Sequence, residues 1–177
     1  MSKTQESRLL AVDLRTRRLG YAVFQTPNRL LDFGISQFDS PATAAVRVRV
    51  ILKAFRPAVV IFDAGPTRGP RNKTRTALVR QAIRREASKM SIPATVLPAR
   101  TLRAFFSERG VRNKYAFAHL SAKWFPQLSR RVPAERECYE SEPWIMAWLD
   151  AVLLGIVYLA QSDNESAEFF RRSLSDE

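Results

Sequence analysis

At 177 residues, 46% hydrophobic and 26% charged, the chain has the size and composition of one globular domain that needs no disulfide staples. Its 29 Lys and Arg against 17 Asp and Glu leave a formal net charge of +12, which calls for a polyanionic partner, nucleic acid ahead of an anionic membrane. A lone cysteine, Cys138, and a lone histidine, His119, exclude an internal disulfide framework and a Cys/His zinc cluster.

In chain order, residues 1–7 are polar, are expected to be disordered, and carry no apolar signal core. The expected location is therefore the cytoplasm. Arg8 to Val12 reads as an apolar strand ending at Asp13, and Leu19 to Gln25 as a second strand. After the Pro27-Asn28 turn signal, Leu30 to Phe38 reads as a third. The short connections imply an antiparallel meander. Ser40-Pro41 is a helix start, followed at helical spacing by Ala44, Val48, Ile51 and Phe55. Val46 to Val50 also alternates like a strand, but the cap and the length favour helix. Ala58 to Phe62 is a short buried strand ending at Asp63, and strand, helix, strand implies a parallel element.

Ala64 to Lys73 reads as a Gly/Pro/Arg loop, Thr74 to Met90 as a helix, and Ala94 to Leu97 as a strand. Helices are expected over Ala99 to Glu108 and Asn113 to Phe125, and irregular polar chain over Pro126 to Glu142. A last helix runs from Glu142 to Gln161, and the polar remainder, 162–177, is expected to fray. The apolar run Trp144 to Ala160 has Asp150 at its middle, which suits a buried helix and not a membrane span. The expected domain is 8–161.

No Gly-x-Ser-x-Gly elbow, Gly-x-x-x-x-Gly-Lys loop or Gly-x-Gly-x-x-Gly turn is present, so any chemistry must run on carboxylates. Asp13 and Asp63 each close an apolar strand, in Leu-Leu-Ala-Val-Asp and Val-Val-Ile-Phe-Asp. Strand ends are where open α/β sheets place their sites, although Asp also ends many strands simply by starting a turn. Parallel neighbours would set the two carboxylates side by side, where they repel unless a cation intervenes. Asp150 lies among Trp148, Leu149, Val152 and Leu153, and burying it unpaired would be costly. It needs an arginine, a metal or a wet site. Together the three make an all-oxygen set suited to Mg2+ or Mn2+, and two such ions can clamp a phosphodiester.

The segment LLAVDLRTRRLGYAVF, Leu9 to Phe24, resembles the first hairpin of the RuvC-like nucleases in the RNase H-like superfamily. The element order is similar as well, and Asp150-Ala151-Val152-Leu153-Leu154 resembles that family's closing Asp-Ala-x-Ala-x-Ala helix. The resemblance spans about residues 8–161. It implies an α/β, RNase H-like fold: a five-stranded mixed sheet, three antiparallel strands then parallel ones, flanked by helices. It also implies a metal-dependent endonuclease of the Holliday junction resolvase type, acting on branched DNA as a homodimer. Asp13, Asp63 and Asp150 would be both catalytic and metal-holding. Three positions depart from the family pattern. Leu14-Arg15-Thr16 stands where Gly or Pro-Gly is usual, Asp63 where Glu is usual, and Ala147 where an acid precedes the last Asp by one turn. Glu142, or Glu140, would supply a fourth metal ligand from upstream, although at about 100° per residue neither shares a helix face with Asp150.

Bases crowd the same regions. Arg68, Arg71, Lys73, Arg75, Arg80, Arg84, Arg85 and Lys89 follow Asp63 closely, and Arg100, Arg103, Arg109, Arg112 and Lys114 form a second cluster. Arg15 and the first of these groups would bind phosphates, giving position and not sequence. RuvC-like enzymes place a basic residue at the start of the penultimate helix, near the scissile phosphate. Lys114 matches it, with Arg112 as alternate. Phe105, Phe106, Tyr115 and Phe117 interleave with the charges, and either pack in the core or stack on unpaired bases. Two further readings stay open. One is a catalytically silent RNase H-like module that binds structured nucleic acid, favoured by Ala147 and Arg15. The other is an RNA-processing nuclease of the YqgF type, whose hairpin Thr16-Arg17-Arg18-Leu19-Gly20 also resembles.

Overall fold

A computed structural model describes residues 7–26, 28–64, 70–108, 110–111, 113–132, 147–162 and 164–172. Strands β1 (Arg8–Leu14), β2 (Arg18–Gln25) and β3 (Arg29–Gln37) form the antiparallel meander. Helix α1 (Pro41–Phe55) crosses to β4 (Val59–Asp63), which pairs parallel with β1, and α2 (Pro70–Lys89) crosses to β5 (Ala94–Leu97), which pairs parallel with β4. The order β3-β2-β1-β4-β5 is the expected mixed five-stranded sheet. Helices α3 (Ala99–Ser107), α4 (Lys114–Trp124), α5 (Ala147–Ser162) and α6 (Asn164–Arg172) follow, with a 3-10 turn over Pro126–Arg131.

The period-2 alternation of the strands divides the core in two. Leu10, Val12 and Leu14 of β1, with Val60 and Phe62 of β4, face α1 and α2. Leu9, Ala11, Val59 and Ile61 face the other way, toward α3 to α6. The start of α1 is decided by its cap: Ser40 Oγ accepts from the Thr43 amide at 3.1 Å, with Pro41 at the first helical position. The alternation in Val46 to Val50 becomes one buried and two exposed valines on a helix, since only Val48 lies on the inner face.

Three expectations differ from the structure, the first being that Pro126 to Arg131, expected to be irregular, forms a 3-10 turn around the fully buried Leu128. The first residues of the expected 64–73 loop aside, helix α2 starts at Pro70, four residues early, with proline at the position where its missing N–H costs nothing. The stretch after Ser162, expected to fray, contains α6, because Ser166 and Phe170, four residues apart, form a buried face among its charges. Phe170 is fully buried, with its ring 5.1 Å from Trp124 and 6.2 Å from Phe125. The expected start of the preceding helix at Glu142 lies outside the described residues. No described helix is long and apolar enough to cross a membrane.

Candidate carboxylate centre

Asp13 and Asp63 stand one residue beyond the last paired positions of β1 and β4, Val12 and Phe62, which run parallel in register. Each continues the alternation toward the α5 side, so both carboxylates rise from the same edge of the same face. Helix α5 packs across β1 and β2 on that face. Its approach depends on Gly20, the partner of Asp13 on β2: a Cβ there would collide with the Ala147 carbonyl oxygen. A second glycine, Gly155, lets the helix lie against the Phe24 ring. With Ala147 seated on Gly20, Asp150 comes one turn later and turns toward Asp13.

The cations at this centre come from the turn after β1 and from the start of α4. Arg15 directly follows β1, and being two residues past Asp13 it shares Asp13's side of the chain. Its Nε donates to Asp13 Oδ2 at 2.8 Å, and its Nη2 donates to Asp150 Oδ2. Lys114, the first residue of α4, donates from Nζ to the same Asp150 oxygen at 2.9 Å. Its helix is started by Asn113, whose Oδ1 accepts from the Ala116 amide at 2.8 Å. The Asp13 side chain is 6% exposed, that of Asp150 16%, and that of Arg15 43%.

Burial, and then the neighbouring Asp150 charge, push the Asp13 carboxyl up from 3.8 to about 7; Arg15 opposes the rise and Asp63 adds to it. Burial alone would weaken the Arg15 charge, but the Asp13 and Asp150 carboxylates outweigh it and hold the guanidinium protonated well above its ordinary range.

The expected site residues separate into groups. Asp13, Asp150, Arg15 and Lys114 are linked by direct contacts, and Asp63 is near enough for its charge to act on Asp13. Arg80 donates to the Asp63 backbone carbonyl at 3.1 Å. Arg75 donates 2.7 Å bonds to the carbonyls of Thr16 and Asp39, tying α2 to the hairpin turn that carries Arg15. Lys73 and Arg84 are exposed on α2. Arg68, Arg112 and Glu142 lie outside the described residues, as does the Arg71 side chain. Phe105, Tyr115 and Phe117 are buried in the core, and the Phe106 ring packs at 4.2 Å from that of Phe117, so these aromatics serve packing. Two features escaped the sequence reading. The seat of α5 on Gly20 was signalled only by a glycine inside a strand, and the bridging by Arg15 only by its i+2 spacing from Asp13.

The donor chemistry suits a hard divalent cation, since every acid present offers oxygen. The arrangement does not present them openly. Among the described residues no three His, Cys, Asp or Glu side chains are grouped to hold one ion, and Arg15 already joins Asp13 to Asp150. The donors are of the type that suits a metal, and Arg15 stands between two of them.

No protein-family model matches the sequence, and no curated protein matches it. Solved structures do. RuvC of T. thermophilus in complex with Holliday junction substrate is 16% identical, with 94% of this chain and 95% of that chain covered and a TM-score of 0.63. A second Thermus thermophilus RuvC structure is 16% identical, with 93% and 95% covered and a TM-score of 0.59. The Fowlpox virus resolvase in complex with Holliday junction DNA is 14% identical, with 87% and 97% covered and a TM-score of 0.46. The strand order, the crossovers and the overlap along nearly the whole of both RuvC chains agree: this chain has the RuvC-like form of the RNase H fold.

Proposed function

We propose that the protein is an endonuclease that hydrolyses phosphodiesters of branched DNA with the help of a divalent cation, Mg2+ or Mn2+. The observation that carries this reading is the placing of Asp13 and Asp63 at the ends of the parallel neighbours β1 and β4, with Asp150 joined to Asp13 through Arg15 and to Lys114. Those three carboxylates would hold the cation, with Glu142 as an expected further ligand. A bound cation would polarise the phosphate and favour attack by water.

The chain's own residues supply the rest. Lys114 places an ammonium against Asp150, where it can meet charge growing on a phosphate oxygen. Lys73 and Arg84, exposed on α2, would hold flanking phosphates without reading bases. A two-fold dimer would present two such centres to a four-way junction.

The test is cleavage of labelled four-way DNA, plain duplex and structured RNA with Mg2+ or Mn2+, for the wild type, Asp13→Asn and Asp150→Asn. Junction cutting should fall by roughly a hundredfold or more in each variant. Cutting of RNA in preference to DNA would overturn the substrate. Junction binding with no cutting by the wild type would overturn the nuclease. That last result would favour the silent nucleic-acid-binding module, the second reading, to which Ala147 and the Arg15 bridge both lend support.

A further inference from the structure

We propose that Arg15 is an exchangeable internal cation, which holds Asp13 and Asp150 together in the metal-free protein and must leave before those carboxylates can take a divalent ion. The proposal rests on the nuclease reading of this centre.

Three observations support it. The guanidinium reaches both acids with different nitrogens, so it occupies the position of a shared counter-ion. Lys114 donates to the Asp150 oxygen that Arg15 also uses, whereas Arg15 reaches Asp13 as well. The parts also differ in freedom. Asp13 is buried on a strand and Asp150 is held on a helix at 16% exposure, whereas the Arg15 side chain is 43% exposed and starts just past the end of β1. The backbone beneath it is fixed: the Arg15 amide bonds the Arg18 carbonyl at 2.9 Å and Arg75 holds the Thr16 carbonyl at 2.7 Å. Rotation of one side chain about its own bonds would therefore free Asp13 and undo its link to Asp150, which keeps the Lys114 bond, without moving the strand. A phosphate oxygen pair near the centre is a competing bidentate acceptor for the freed guanidinium.

The experiment is titration of the metal-stripped full chain with Mn2+, free ion being read by electron paramagnetic resonance without any nucleic acid. Arg15→Gln should bind Mn2+ about ten-fold more tightly than the wild type, since the ion no longer displaces a charge-assisted hydrogen bond. Arg15→Lys keeps the charge but cannot bridge both acids with separate nitrogens, so its affinity should fall between the two. It carries the test if Arg15→Gln does not fold without metal. Equal affinities across the series, or weaker binding by the variants, would overturn the proposal, as would no Mn2+ binding by any of them. Cleavage is scored separately. Tighter Mn2+ binding by the variants with no cleavage by any form would overturn the nuclease reading and leave the exchange standing. Cleavage by the wild type with unchanged affinities would do the reverse.

Discussion

Asp13 and Glu86 are both buried carboxylates, yet their surroundings move them in opposite directions. At Asp13 burial and neighbouring acids prevail over one arginine. At Glu86 of α2 the hydrogen bond from Arg49, at 2.6 Å from α1, prevails, helped by Lys89 at 2.7 Å, and the carboxyl falls from 4.5 to about 2. A carboxyl lowered in the folded state contributes stability above its unfolded value and loses it as pH falls through the folded one. Wild type should therefore be more stable than Glu86→Gln at pH 6. The gap in urea midpoint should narrow below pH 4.5 and close near pH 2. A gap independent of pH over that window would mean that Glu86 acts through packing instead of charge.

At the scale of elements, the centre is made by the seating of α5. Ala147 rests on Gly20, and the opposing atom is a backbone carbonyl that no rotamer can withdraw. Gly20→Ala should therefore lower stability by about 2–4 kcal/mol in urea unfolding, the range of an overpacked or strained core position. It should also weaken junction cleavage, because α5 carries Asp150. Stability within a few tenths of a kcal/mol of wild type would mean that the helix shifts freely. Much of this level was legible in the sequence. The strand-end Asp13 and Asp63, the Ser40-Pro41 start and the interrupted apolar run around Asp150 each have a local cause. What escaped was set by contacts between distant segments. A glycine at 20 reads as a weak strand position until a helix lies on it. Arg75 reads as a surface base until it meets the carbonyls of Thr16 and Asp39. The chain after Ser162 reads as polar until Trp124 and Phe125 cover Phe170.

For the molecule as a whole, the net charge of +12 does not act as one uniform field. Some of the bases face inward: Arg15 and Lys114 meet acids, Arg75 and Arg80 meet carbonyls. Others, Lys73 and Arg84 among them, are exposed and open to phosphates. Junction affinity should fall linearly in log-log form as salt rises, and the Lys73→Gln, Arg84→Gln double variant should flatten that slope by about 2 if each base neutralises one phosphate. An unchanged slope would place the binding face elsewhere.

The seat of α5 on Gly20 also has a consequence in time. The hairpin with Asp13 leaves the ribosome before the helix with Asp150, which follows 135 residues after Arg15. A growing chain thus exposes the apolar face of β1 and β2 before its cover exists, and its acidic centre stays incomplete until α5 is made. Whatever the centre does to a phosphodiester, only a chain finished through α5 can do it.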